Sequence, residues 1–145
     1  NHPYRFHLKM VVYVAEQFIH LIPKEDRDTV IAGCWVHDLI EDARVTYNDI
    51  KKNLNKTVAE YAYALTNEKG RNRAERANDK YYDEIKKYNH SSYIKLCDRI
   101  ANVIYSKEKG SDMFKMYKKE HSDFKTKLYD GRWEEMWEYL EKLFD

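Results

Sequence analysis

The chain has 145 residues, 26 Lys+Arg against 25 Asp+Glu for a formal charge of +1, and only 4 glycines and 2 prolines. That length suits one domain with a real core, and helix breakers at about 4% of residues, where roughly 12% is average, favour long amphipathic helices. Scattered glycines (Gly33, Gly70, Gly110, Gly131) exclude GxxxxGK and GxGxxG phosphate loops, and no apolar run approaches the ~18 residues of a membrane span.

Apolar residues Leu8, Val11, Val12, Ala15, Phe18, Ile19 and Ile22 recur at helical spacing and predict a helix over 8–22, closed by Pro23. A second helix is expected over 28–42, with Asp26 or Asp28 as its N-cap. Thr46 and Asp49 read as a capping-box variant for a short helix through Leu54, and 58–65 is another apolar turn or two. A charged stretch over 67–78 follows. Residues 81–88 read as a solvated helix, and Ser91 or Ser92 is expected to cap a helix over 93–105 carrying Ile94, Leu96, Cys97, Ile100, Val103 and Ile104. Helices over 113–128 and 132–144, parted at Asp130-Gly131, complete an all-α expectation. Trp133, Met136, Trp137, Leu140, Leu143 and Phe144 form one wide apolar stripe in the last. No repeat and no linker divides the chain, so a single helical domain over 1–145 is expected, soluble and cytoplasmic. It begins Asn1-His2-Pro3 without Met, so a short preceding segment is expected as well.

The informative segment is Val30-Ile31-Ala32-Gly33-Cys34-Trp35-Val36-His37-Asp38-Leu39-Ile40-Glu41-Asp42. Its first seven residues are apolar almost all round, as in a buried helix. At about 100° per residue, His37, Glu41, Asp38 and Asp42 then fall at about 0°, 40°, 100° and 140°, within half the circumference. Unpaired buried carboxylates are costly, and a bound cation would remove that cost. The alternative is a helix that emerges into water after Val36, which puts three acids at a helix C-terminus where its partial negative charge disfavours them.

Other residues are open in the same way. Asp98 and Asn102 stand at i and i+4 among apolar neighbours; Asp98 is hydrogen-bonded to Arg99 or to a neighbouring helix cap, or it is a metal ligand. His7, just before the first helix turns apolar, is a ligand or a surface histidine. Lys69, Arg71, Arg73 and Arg76 are either solvated surface or a clamp for the remote phosphates of a highly charged nucleotide. His2, His20, His90 and His121 read as structural, Cys34 and Cys97 as small core residues, and Trp133 and Trp137 as core or interface anchors. Near-zero net charge speaks against a general nucleic-acid binder.

Three motifs resemble the HD superfamily of metal-dependent phosphohydrolases. They are Pro3-Tyr4 with His7, then His37-Asp38-Leu39-Ile40-Glu41-Asp42 with Thr46, then Lys95-Leu96-Cys97-Asp98-Arg99 with Asn102. The likeness is closer to the alarmone hydrolases: the hydrolase half of the RelA/SpoT proteins, their small stand-alone relatives and the metazoan SpoT homologue. Their pattern is an aromatic PY then His, an HDxxED helix with a Thr soon after, and KLxDRxxN. Thr66-Asn67-Glu68-Lys69 and Glu75-Arg76 resemble the segment that the family places between those helices. The chain departs at Tyr105, where the family has a small polar residue.

The resemblance implies an HD-domain helical bundle with His7, His37, Asp38 and Asp98 as ligands of one divalent metal. A mixed N/O donor set suits Mn²⁺ and permits Fe or Zn. The resemblance also makes Glu41 and Asp42 the catalytic pair that positions and activates the attacking water, and Asn102 a holder of the nucleotide sugar or phosphate. Lys69, Arg73 and Arg76 would bind the remote phosphates. The implied activity is hydrolysis of the 3′-pyrophosphate of a (p)ppGpp-like nucleotide, with no membrane or nucleic-acid partner. The alternatives are another 2′- or 3′-phosphorylated nucleotide such as (p)ppApp or NADPH, and a catalytically idle module that binds nucleotide or protein.

Overall fold

The computed structural model describes residues 4–37, 40, 45–66 and 72–145. They form helices in the order α1 (Tyr4–Gln17), α2 (Arg27–Val36), α3 (Tyr47–Asn53), α4 (Lys56–Ala64), a one-turn α5 (Arg73–Arg76), α6 (Asp79–Lys87), α7 (Ser91–Lys109), α8 (Asp112–Leu128) and α9 (Glu134–Leu143). No strand occurs among the described residues, so the protein is all-α. None of these helices is long and apolar enough to cross a membrane.

Local chemistry explains most of the boundaries. Thr46 and Asp49 form the expected capping box, with Asp49 N–H donating to Thr46 Oγ1 and Thr46 N–H to Asp49 Oδ2. Asn55, Asn72 and Asn78 cap α4, α5 and α6, each accepting a backbone N–H three residues on. Gly110 ends α7 in the left-handed conformation at φ 59°, a region that a side chain disfavours.

Four expectations needed correction. The first helix stops at Gln17, because the chain tightens into a 3-10 turn at Ile19–Leu21 before Pro23. Asp26 precedes α2 but its carboxylate makes no cap there; it faces His90 Nε2 at 3.1 Å. Ser91 and Ser92 are buried within the first turn of α7 instead of capping it, and Ser92 Oγ accepts from Trp133 Nε1 at 2.9 Å. The helix read as solvated, α6, buries Tyr81, Tyr82 and Ile85. The expected stretch from Asp38 onward in the second helix lies outside the described residues except Ile40.

Helix α7 is the axis of the bundle and packs against α1, α2, α6, α8 and α9. Its Ile94, Leu96, Cys97, Ile100 and Val103 are fully buried with Val11, Val14 and Ala15 of α1, Val30 and Cys34 of α2, and Met136, Trp137 and Leu140 of α9. At about 1.5–3 kcal/mol for each large side chain buried, this face drives the helix inward and takes the polar residues between with it. A smaller cluster of Val36, Ile50, Val58, Ala59 and Ala62 packs the end of α2 against α3 and α4. Val36, the residue before His37, is thereby anchored.

Gly33 sits where α2 passes close to side chains of α7 and α4. A Cβ there would lie 2.7 Å from Ile94 Cδ1 and 3.0 Å from Tyr61 Cδ2, inside van der Waals contact. Overpacking costs about 1–3 kcal/mol, while Gly to Ala in a helix returns up to about 1 kcal/mol. Gly33→Ala should therefore lower stability by up to about 2 kcal/mol and the thermal midpoint, followed by circular dichroism, by up to a few degrees. An unchanged or higher midpoint would show that Ile94 and Tyr61 repack without cost.

Candidate metal centre

Three helices bring one donor each to a common point. His7 comes from the first turn of α1, His37 from the residue that ends α2, and Asp98 from the middle of α7. The three donor atoms lie within 4.8 Å of one another. His7 Nε2 is 2.9 Å from Asp98 Oδ1, and His37 Nε2 is 3.3 Å from the same oxygen. Side-chain exposure is 14%, 3% and 15% for His7, His37 and Asp98, so water screens this cluster poorly.

The His37 ring is fixed from behind. Its Nδ1–H donates to the Cys34 carbonyl at 2.7 Å, one turn back in α2. A carbonyl only accepts, so the proton belongs on Nδ1, and a neutral His37 turns a bare Nε2 lone pair toward a carboxylate oxygen. Two lone pairs facing each other at this distance repel. A second proton on the ring relieves that repulsion, and so does a cation between ring and carboxylate. The second solution is the usual setting of a metal-binding histidine, whose other nitrogen donates to a carbonyl or carboxylate.

Asp98 is a charged carboxylate in a buried place. Burial pushes its carboxyl upward, but hydrogen bonds from His37, when its ring carries the second proton, and from His7, with the charge of Lys95, outweigh it and hold it well below the usual range. Lys95, one turn earlier on α7, has its ammonium 3.8 Å from Asp98 Oδ2. Burial opposes that ammonium too, yet Tyr81 and Asp98 keep its pKa above the ordinary value. The two imidazoles and one carboxylate form an N₂O set with separations that one divalent ion, at bond lengths of about 2.0–2.2 Å, spans with little movement.

The remaining expectations divide. Asp38, Glu41, Asp42 and Lys69 lie outside the described residues. Asn102 is half-buried one turn beyond Asp98, and lines with His7, Tyr105 and Tyr117 a depression of about 300 Å³. Arg73 and Arg76 line a different cavity. Asp98 is not tied to Arg99: the Arg99 guanidinium donates instead to Glu120 Oε1 of α8 at 2.6 Å, and Arg73 grips the same carboxylate at 2.9 and 3.1 Å. Glu120 and Tyr117 stand in a segment only weakly similar to compact members of the family and are not distinguished as site residues, because their α8 stripe looks like any amphipathic helix. Of the histidines read as structural, His20 faces Glu135, His90 faces Asp26 and His121 faces Glu141, while His2 lies outside the described residues. Cys34 and Cys97 are buried free thiols, and Trp137 is a core residue.

Compared with known proteins, the chain matches no family model, no curated protein and no solved structure. The chemistry of the centre therefore rests on its own atoms.

Two measurements follow from this geometry. Ligand binding to the folded state alone raises stability by about 2.7 kcal/mol at a hundredfold excess over Kd. Added Mn²⁺ should accordingly raise the melting temperature of the wild type and leave Asp98→Ala unmoved; equal shifts in both would remove Asp98 from the ligand set. The second concerns Glu120. Burial raises its carboxyl, but hydrogen bonds and charge from Arg73 and Arg99 prevail and hold it below its ordinary value. Its contribution to stability is thus complete above about pH 4.3, the unfolded value, and is lost as the pH falls below it. Glu120→Gln should destabilise the protein at pH 7 and flatten the acid limb of the stability curve below about pH 4; a curve parallel to wild type would contradict this.

Proposed function

We propose that this chain is a cytoplasmic, divalent-metal-dependent hydrolase that removes the 3′-pyrophosphate from a (p)ppGpp-like nucleotide. The observation that carries the reading is the meeting of His7, His37 and Asp98, the His, His and Asp named by the HD-type motifs, around one carboxylate oxygen. Asp38, next to His37, supplies a second carboxylate ligand in this reading, and the donor set then suits Mn²⁺. When bound, such an ion polarises a phosphoryl oxygen and makes water more acidic.

The chain's own residues do the rest. Glu41 and Asp42 orient the attacking water and take its proton as the water oxygen adds to the ribose-proximal phosphorus. The bond from that phosphorus to the ribose 3′ oxygen breaks, and the same proton passes to the departing oxygen. Asn102 stands about one helical turn, 5.4 Å, beyond Asp98, beside His7 in the shared depression. Its amide donates to the ribose 3′ oxygen and accepts from a sugar hydroxyl. Lys69, Arg73 and Arg76 balance the remote phosphates. Tyr105, where the family has a small polar residue, lines the same depression and bears on the choice of nucleotide; the second reading keeps the metal chemistry with (p)ppApp or NADPH as substrate.

Product analysis tests the proposal. With Mn²⁺ present, ppGpp or ppApp should yield pyrophosphate from the 3′ side while GTP and ATP stay largely intact. Glu41→Gln and Asp42→Asn should keep metal yet lose turnover by ~10² or more. Asn102→Ala should weaken the 3′ preference and leave metal content unchanged. Efficient cleavage of GTP with ppGpp untouched would overturn the alarmone reading, and no turnover of any nucleotide by metal-loaded protein would leave the idle binding module.

A further inference from the structure

A second cavity, of about 330 Å³, opens between α5, α6, α7 and α8. Five cations reach it (Arg73, Arg76, Lys95, Arg99 and Lys127), against the carboxylates of Glu120 and Asp123. It follows the metal-side depression along one helix face: Lys95, Arg99, Asn102 and Ser106 form a single i, i+4, i+7, i+11 stripe on α7. Tyr117 separates the two, lining the first while Arg99 and Arg73 lie 4.8 and 5.4 Å from its ring centre.

Lys95 is paired with Asp98, and the other four cations are not used up. Arg99 is more than nine-tenths buried, and its one hydrogen bond among the described residues goes to Glu120. A guanidinium carries five N–H donors, so most of those of Arg99 stay available to a ligand. Arg73 spends two N–H groups on the same carboxylate. Arg76 makes no ion pair with any described residue. The Lys127 partner is Asp123, whose carboxylate is largely exposed, so the pair binds weakly. Glu120 thus fixes two guanidinium groups and neutralises only one of them.

The ligand class follows from what the walls offer. Lys95 lies 5.4 Å from the Tyr81 ring centre and Arg99 lies 4.0 Å from that of Phe124, so cations already occupy these ring faces. That leaves little for a nucleobase to stack on. The volume is at the small end of ligand pockets, which run from about 300 to 1,000 Å³. Dense, fixed N–H donors with surplus positive charge recognise phosphate.

We propose that this cavity is a phosphate-binding site, able to take a diphosphate group without a metal ion. It shares Arg73 and Arg76 with the function proposed above and extends it, but does not depend on the metal reading. The phosphate is either a free anion or an arm of a nucleotide seated in the neighbouring depression.

The test is calorimetric titration of pyrophosphate into the full chain after metal has been stripped on a chelating resin. Binding should be measurable, fall with added salt, weaken at least about tenfold in Arg76→Ala, and recover in part in Arg76→Lys. Far-UV circular dichroism checks that the variants fold. No binding by the metal-free chain, or an affinity in Arg76→Ala equal to that of the wild type, overturns the site. A nucleoside 3′,5′-bisphosphate added in competition separates the two sources: displacement of pyrophosphate identifies the arm of a nucleotide, and no displacement identifies a free anion. Turnover of ppGpp without metal-free pyrophosphate binding would reject this site and keep the hydrolase, and the reverse result would do the opposite.

Discussion

The Asp98 carboxylate is the point on which the arrangement turns. It sits on the helix that carries the core, between side chains whose burial draws α7 to the centre of the bundle. A charge in that position needs partners, because the energy of an unmatched buried carboxylate exceeds what any single apolar contact returns. The partners come from three directions: His7 from α1, His37 from the end of α2, and Lys95 from one turn earlier on α7. Satisfying one carboxylate therefore fixes where two other helices begin and end.

The smaller apolar cluster has a matching role. Val36 is clamped by Ile50, Val58 and Ala62, so α2 reaches its last described turn in a set position, with the next residue turned toward Asp98. The Cys34 carbonyl then sets the His37 ring through Nδ1. Packing places the backbone, a backbone hydrogen bond sets the tautomer, and the tautomer leaves Nε2 facing the carboxylate. Gly33 lets α2 approach Ile94 and Tyr61 closely enough for this to work.

Charge on α7 is divided along its length. Lys95 and Asp98 neutralise one another locally, whereas Arg99, one residue on, points around the helix to α8 and meets Glu120. Because Glu120 is shared with Arg73, two guanidinium groups are drawn to one acid and a surplus of positive charge remains beside the His7–His37–Asp98 cluster. The cluster and the cationic cavity share a helix and are parted by the Tyr117 ring.

Local signals in the sequence determined the all-α class, most helix positions, the Thr46–Asp49 capping box and the core faces of the helices, because periodicity and capping act over a few residues. His7, His37 and Asp98 were legible as candidates, the latter two because charged or imidazole groups interrupt apolar helical runs. What stayed open was whether Asp98 met Arg99 or something distant, and whether His7 was a surface residue; both depend on contacts 91 and 61 residues apart in the chain. The burial of Tyr81 and Tyr82, the capture of Asp26 by His90 and the gathering of Arg73 and Arg99 on Glu120 were invisible for the same reason. Helical spacing says which residues share a face. Only the packing of one helix on another says what that face meets, since a side chain's partners across the bundle are chosen by the lowest energy of the whole assembly.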